Sequence, residues 1–304
     1  GEAKVLIIDE AQRIRDIGQN LNLMVDHMPH VAVLATGYSA FNLLQQAGEP
    51  LTGRKLTLLL FPLSQMELAL IEKRHEIKTR LDERLIFGSY PEVILMDDAH
   101  MRQQYLRELI GAYLFRDVLE LESIRHSDKL VRLLQALAFQ IGKEVSLNEL
   151  GKNIGMSKNT VGRYLDMLEK AFVIFRIGGF SRNLRKEIFK NARYYFYDVG
   201  VRNGLINNFN PFSMRNDRGM LWENYILVER LKKQMYDSIF SQNYFWRTYD
   251  QKEIDWIEER EGKLFAYEIK WQKQTSRPPK DFMKAYSQAV FQSITKDNYV
   301  DFIT

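Results

Sequence analysis

The residues with the clearest capacity for chemistry lie near the C-terminal end. Asp255 falls in a strand-like run from Glu253 to Glu259. Glu268-Ile269-Lys270 falls in the next run, Lys263 to Trp271, and Glu261-Gly262 supply the turn between them. Alternation places Glu268 and Lys270 on one face with Leu264 and Ala266, and Phe265, Tyr267, Ile269 and Trp271 on the other. Two charges ending a face that begins with apolar residues need partners, and Asp255 in the adjacent strand can supply one. Two carboxylates converging with a lysine suit a hard cation such as Mg²⁺ or Mn²⁺, which lowers the pKa of a bound water while the lysine positions that water or neutralises phosphate charge. The same residue types also suit a cross-strand salt-bridge ladder on a wet sheet face, and spacing alone favours the ladder. A helix from about Gly219 to Gln234 precedes these strands and carries Glu223.

A second acidic group stands at the other end of the chain. Val5-Leu6-Ile7-Ile8 reads as a buried parallel strand that runs straight into Asp9 and Glu10. A helical pattern (Ile14, Ile17, Leu21, Met24, Val25, Met28) leads to a second strand, Val31 to Ala35, ending at Thr36. In such a β-α-β unit ligands sit beyond the carboxyl ends of the strands, where Asp9, Glu10 and Thr36 fall. Lys55 to Leu60 reads as a third strand, entered through a loop that holds Arg54.

The middle of the chain supplies a third group. Ser146 to Leu165 reads as a helix-turn-helix, with Ser146 and Ser157 as caps and Gly155 at the turn. Helices over Leu130–Ile141, Ser146–Ile154 and Ser157–Phe172, followed by a strand at Val173–Ile177, have the order of a winged helix. Lys158, Asn159, Thr160, Arg163 and Tyr164 are expected to face outward, as suits phosphates and base edges. Winged helices also serve as protein-contact modules, and the motif alone leaves the two uses at even odds. Arg182, Arg185, Lys186, Lys190 and Arg193 lead into Tyr194-Tyr195-Phe196-Tyr197, which suits single-stranded nucleic acid or, preferably, a buried strand. Residues 65–125 read as packed connecting helices, interrupted at Gly88-Ser89-Tyr90-Pro91, with Tyr105, Leu109, Ala112, Tyr113, Phe115, Val118 and Leu119 inward.

Composition bounds these readings. At 304 residues the chain has room for two or three domains, and 45% apolar with 27% charged residues excludes a disordered or coiled-coil chain. Without cysteine it has no disulfide framework, thiol nucleophile or cysteine-based metal site, which makes a reducing cytoplasm the simplest compartment. No apolar run approaches the ~20 residues of a membrane span, so no membrane is expected among the partners. A net charge of +4 is compatible with an acidic partner without requiring one.

VLIIDE resembles the Walker B strand, and VLATGYS the sensor-1 strand, of AAA+ ATPases. The resemblance implies that Asp9 holds Mg²⁺ through water, Glu10 polarises the attacking water, Thr36 senses the terminal phosphate and Arg54 is an arginine finger; a plain solvated arginine fits Arg54 nearly as well. No G-x-x-x-x-G-K-[ST] phosphate loop exists here, and Gly48 to Lys55 is only a near miss. The chain is therefore expected to begin inside an ATPase domain, with ATP a cofactor of the full-length protein only. Incomplete parallel sheets expose edges and apolar faces, so residues 1–64 are expected to self-associate or to be shielded by a partner.

Glu223, Asp255 and Glu268-Ile269-Lys270 resemble the PD-(D/E)xK nuclease motif, in which the three acids are metal ligands and the lysine is catalytic. VLIIDEAQRI, PLTGRKLTLLLFPLSQMEL, FGSYPEV, YLFRDV, LEKAFVIFRIGGFSRNLRKEIFK, YYFYDVGVRNGL, RNDRGMLWENYILVER, YFWRTYDQKEIDWI and YEIKW together resemble a family of uncharacterised prokaryotic AAA+ ATPases with a C-terminal domain of unknown function and nuclease-like fold. The implied architecture is an α/β and α+β multidomain chain. It has a partial P-loop ATPase core over 1–64, a helical connector over 65–125, a winged helix over 126–181 and a restriction-nuclease-like α/β domain over 182–304. Three functions follow: a metal-dependent DNA nuclease under ATP control, an ATP-driven switch whose nuclease-like domain only binds DNA or protein, and a winged-helix DNA-binding regulator.

Overall fold

A computed structural model describes residues 4–37, 53–111, 127–181, 192–248, 252–272 and 276–304. The chain divides into two compact units, residues 1–60 with 166–172, and residues 61–165 with 173–304.

In the first unit β1 (Lys4–Ile8) and β2 (Val31–Ala35) pair in parallel, Leu6 opposite Val33 and Ile8 opposite Ala35, with α1 (Ile17–His27) between them in sequence. This is the expected β-α-β unit, but β1 is not the buried strand its apolar run suggests. Leu6, Ile8, Val31 and Val33 are half-buried, whereas Val5 is 61% and Ile7 64% exposed. One helix can cover one face of a two-stranded sheet, and the opposite face stays open. The strand expected over Lys55 to Leu60 does not form: Leu56, Leu58 and Leu60 are 83, 76 and 97% exposed, and a strand pattern with no ladder to join stays irregular. Most of the near-miss phosphate loop, Gly48 to Thr52, lies outside the described residues, as do Ala112, Tyr113, Phe115, Val118, Leu119, Arg182, Arg185, Lys186 and Lys190.

The second unit opens with α2 (Gln65–Leu68), α3 (Arg74–Thr79), α4 (Leu81–Phe87), α5 (Pro91–Leu95) and α6 (Ala99–Leu109). These are shorter and more broken than the expected connecting helices, because caps recur every few residues: Ser64 with Glu67, Lys73 with Glu76, Pro91 at a first turn and Asp98 on Met101. On α6 it is Leu106, with Ile110 just beyond, that is buried, while Tyr105 and Leu109 are half-covered.

There follow α7 (Ser127–Phe139), β3 (Glu144–Val145), α8 (Leu147–Ile154), α9 (Lys158–Lys170), β4 (Ile174–Gly179), β5 (Ala192–Phe196), α10 (Val199–Leu205), α11 (Arg218–Tyr236), β6 (Gln242–Arg247), β7 (Glu253–Arg260), β8 (Lys263–Ile269), α12 (Lys280–Ala285), β9 (Val290–Ile294) and α13 (Tyr299–Ile303). The strands form one mixed sheet in the order β3-β5-β4-β6-β7-β8-β9, parallel at β4–β6 and β8–β9 and antiparallel elsewhere. It is continuous across residue 181, since Gly178 and Gly179 of β4 pair with Tyr244 and Phe245 of β6.

Phe180, Trp246, Ile254, Ile257, Leu264, Ala266 and Phe282 make one core cluster of this unit. Buried ion pairs fix helices to strands around it: Arg230 of α11 forks onto Glu258 of β7 at 2.6 and 2.9 Å and also donates to the Phe302 carbonyl. The FGSYP segment docks against the helix that opens at Asp198, whose carboxylate accepts from the Ser89 and Val201 amides. A Cβ on Gly88 would strike that carboxylate, and one on Gly200 would strike the Phe87 carbonyl, so both sites require glycine.

Candidate functional site

The N-terminal acids sit where a β-α-β unit presents a ligand site. Asp9 follows β1 directly and accepts the hydroxyl of Thr36, which follows β2. Glu10 takes the left-handed backbone region (φ 50°), turning the chain off the strand, and accepts from Gln12 at 2.7 Å with Arg13 at 3.5 Å. Arg54 is ion-paired with Asp26, both side chains about half exposed.

The helix-turn-helix residues form as their spacing implies. Ser146 accepts from the Glu149 amide, Gly155 ends α8 at φ 67°, and Ser157 accepts from the Thr160 amide at 3.1 Å. Lys158, Asn159 and Arg163 are exposed, and Thr160, half-covered, spends its hydroxyl on Ser157. Tyr164 is not an outward residue: it is buried beside Val161 and Leu165, with the Arg163 guanidinium 5.8 Å from its ring centroid. An amphipathic tyrosine gains more from covering its ring than from free solvation.

The C-terminal residues converge. Asp255, 4% exposed on β7, accepts the Ile269 amide at 2.8 Å. The register Trp256 to Tyr267 brings the neighbouring Asp255 and Glu268 together. Glu268 pairs with Lys270 at 2.6 Å through Oε1, while its buried Oε2 has no partner. Glu223 is aimed here by its neighbour Asn224, whose side-chain amide both donates to and accepts from the Phe196 backbone at 2.8 Å and so clamps α11 to β5. Glu223 then accepts the buried Tyr195 hydroxyl at 2.6 Å. Gly142 (φ 74°) lies against it; a Cβ there would come within 2.9 Å of Glu223 Oε1.

Arg193, Glu253, Tyr195 and Asn224 complete the site, and the spacing of Arg193, Tyr195 and Asn224 does not mark them as its members. The Arg193 guanidinium, 4.5 Å from the Phe245 ring centroid, donates to Glu253 at 2.6 Å and stands 3.9 Å from Glu223 and 3.8 Å from Asp255. A signal for it existed: an arginine inside Ala-Arg-Tyr-Tyr-Phe must be buried with a carboxylate. Glu253 was equally legible, lying two residues from Asp255 and hence on the same strand face.

Four carboxylates, Glu223, Glu253, Asp255 and Glu268, thus face two cations, Arg193 and Lys270. Burial pushes Asp255 well above the usual carboxylate range, and the charges of Glu223 and Glu268 add to it. Burial likewise raises Glu223, against the pull of Arg193, and raises Glu268, against its hydrogen bond from Lys270. Burial would lower Lys270, but Glu268 and Asp255 outweigh it and hold the ammonium above its ordinary value. Among the described residues no three His, Asp or Glu side chains are placed to hold one metal ion together. Glu223 is turned to Tyr195 and Arg193 instead of closing with Asp255 and Glu268. The latter pair, all oxygen and with one orphaned buried oxygen, fits a cation that takes one or two carboxylates and keeps its waters.

No helix among the described residues is long and apolar enough to cross a membrane. Residues 1–69 match the model of an AAA domain, residues 78–211 that of a domain of unknown function (DUF8612), and residues 218–300 that of another (DUF4143). An uncharacterised protein of Methanocaldococcus jannaschii is 24% identical over 306 residues, covering 94% of this chain and 65% of its own length. Uncharacterised proteins of Mycobacterium tuberculosis (28% identical, 91% of this chain and 60% of the relative) and Haemophilus influenzae (22%, 86% and 64%) are also similar. The chain thus spans under two thirds of the length of these curated relatives, and no solved structure matches it. The chain thus matches an AAA-type domain in its N-terminal part and a domain of unknown function in its C-terminal part.

Proposed function

We propose that this chain belongs to an ATP-controlled DNA-processing protein: an AAA-type module joined to a DNA-contacting winged helix and a nuclease-like domain with a metal-dependent phosphodiester site. The observation that carries the reading is the convergence of Glu223, Asp255, Glu268 and Lys270, spread over three elements, on one buried acidic cluster.

Asp255 and Glu268 would hold Mg²⁺ or Mn²⁺, which when bound supplies an activated water and offsets charge developing on phosphate. Asp255 is fixed for that role by the Ile269 amide, and Glu268 presents its unpartnered oxygen. Lys270 stays protonated beside Glu268 with its side chain 42% exposed, so it can hold the phosphate from the solvent side. Glu223, hydrogen-bonded to Tyr195, supports the wall behind Asp255. Lys158, Asn159 and Arg163 supply the sequence-independent hold on DNA, with Thr160 shaping the helix start. Asp9, Glu10 and Thr36 form the nucleotide-facing end of the AAA-type module, with Arg54 as its candidate finger once released from Asp26.

The test is incubation of the chain with supercoiled and single-stranded DNA in Mg²⁺ or Mn²⁺. Cleavage is expected, with a loss of about 100-fold or more in Asp255→Ala and Lys270→Ala. Absence of cleavage by the chain and by one of the longer relatives that it matches would overturn the nuclease reading and leave a domain that binds DNA or protein without cutting.

A further inference from the structure

We propose that Arg193 is a resident counter-ion of the acidic site, a positioning residue that occupies the charge deficit between Glu223, Glu253 and Asp255 and competes with an incoming divalent cation. This rests on the reading that Asp255 and Glu268 take such a cation.

The contrast with Arg230 carries the argument. Arg230, a structural arginine, makes two hydrogen bonds to Glu258 and one to the Phe302 carbonyl. Arg193 is as deeply buried, yet among the described residues its hydrogen bond goes to Glu253 alone. Its Nε has no partner, and Glu223 and Asp255 stand at 3.8–3.9 Å, within ionic reach and beyond hydrogen-bond length. Glu253, to which it is tied, is the most exposed of the acids, with 40% of its side chain accessible. An arginine cannot discharge by losing its proton, so the inner acids always feel one positive charge that is loosely bonded and anchored at the rim. With all four carboxylates ionised, Arg193 and Lys270 leave a net −2, which one divalent cation would balance. Without Arg193 the cluster would carry −3 and attract that cation more strongly.

The experiment titrates the folded full chain with Mn²⁺, reading the free ion by electron paramagnetic resonance, for wild type, Arg193→Gln, Arg193→Lys and Asp255→Asn. Arg193→Met, which keeps an apolar stem over Phe245, replaces the glutamine variant if that fails to fold. Binding is expected to depend on Asp255, to tighten tenfold or more in Arg193→Gln or Arg193→Met, and to stay within about threefold of wild type in Arg193→Lys. Asp255-dependent binding of unchanged or weaker affinity in the neutral variants overturns the counter-ion role while leaving the metal site standing. Equal tightening in the lysine variant also overturns it, because charge would then not be the cause. Mn²⁺ binding that ignores Asp255, or none in any variant, overturns the inference together with the metal reading.

Discussion

Asp9 with Glu10 and Asp255 with Glu268 are both acid pairs at strand ends, yet the molecule treats them oppositely. The first pair ends a two-stranded sheet with one open face, and its acids answer to near neighbours, Thr36 across the strand pair and Gln12 and Arg13 along the chain. The second pair lies in a seven-stranded sheet between a core cluster and α11, and beside the Ile269 amide and Lys270 its acids face Arg193 and Glu223, brought in from distant elements. A carboxylate needs only water in the first setting and a complete set of partners in the second. That is why the C-terminal site collects Arg193, Tyr195 and Lys270 around it.

The largest test of this contrast is packing. Leu85→Ala, in the fully buried part of α4, should cost about 2–5 kcal/mol and lower the urea midpoint sharply. Ile7→Ser should stay within about 0.5 kcal/mol while reducing any self-association seen by sedimentation. A large loss of stability in Ile7→Ser would mean that the open β1 face is covered in solution.

A smaller effect sharpens the electrostatic side. Because the Asp255 carboxyl is raised in the fold, the unfolded chain releases its proton first as pH rises, and stability falls between the ordinary carboxylate value and the raised one. Asp255→Asn removes that loss. Its gain at pH 7, on the order of 1 kcal/mol or roughly 2–4 °C in melting temperature, should vanish below pH ~4. Saturating Mn²⁺ should raise the wild-type melting temperature and leave Asp255→Asn unmoved. A variant less stable than wild type at pH 7 would show that the cluster is already neutralised internally.

The smallest change is expected on the exposed helix. Lys158→Ala and Arg163→Ala should each reduce the salt slope of DNA binding by about 1 with little change in stability, measured by fluorescence anisotropy from low to moderate salt. An unchanged slope would assign that face of α9 to a protein partner.

Local pattern sufficed wherever the cause was local. The β-α-β unit, the caps at Ser146 and Ser157, the turn at Gly155 and the Glu261-Gly262 hairpin all follow from alternation, helical spacing and residues with a known backbone preference. The shared face of Glu268 and Lys270 and the acid in the adjacent strand were legible for the same reason. What the tertiary structure alone decided is partnership. Whether the apolar pattern of 55–60 finds a ladder, whether Tyr164 turns inward, and whether Glu223 meets Asp255 or Arg193 depend on what distant segments bring alongside. Those choices are made by burial and charge balance, which act through space, and a sequence records only the residues that must be satisfied.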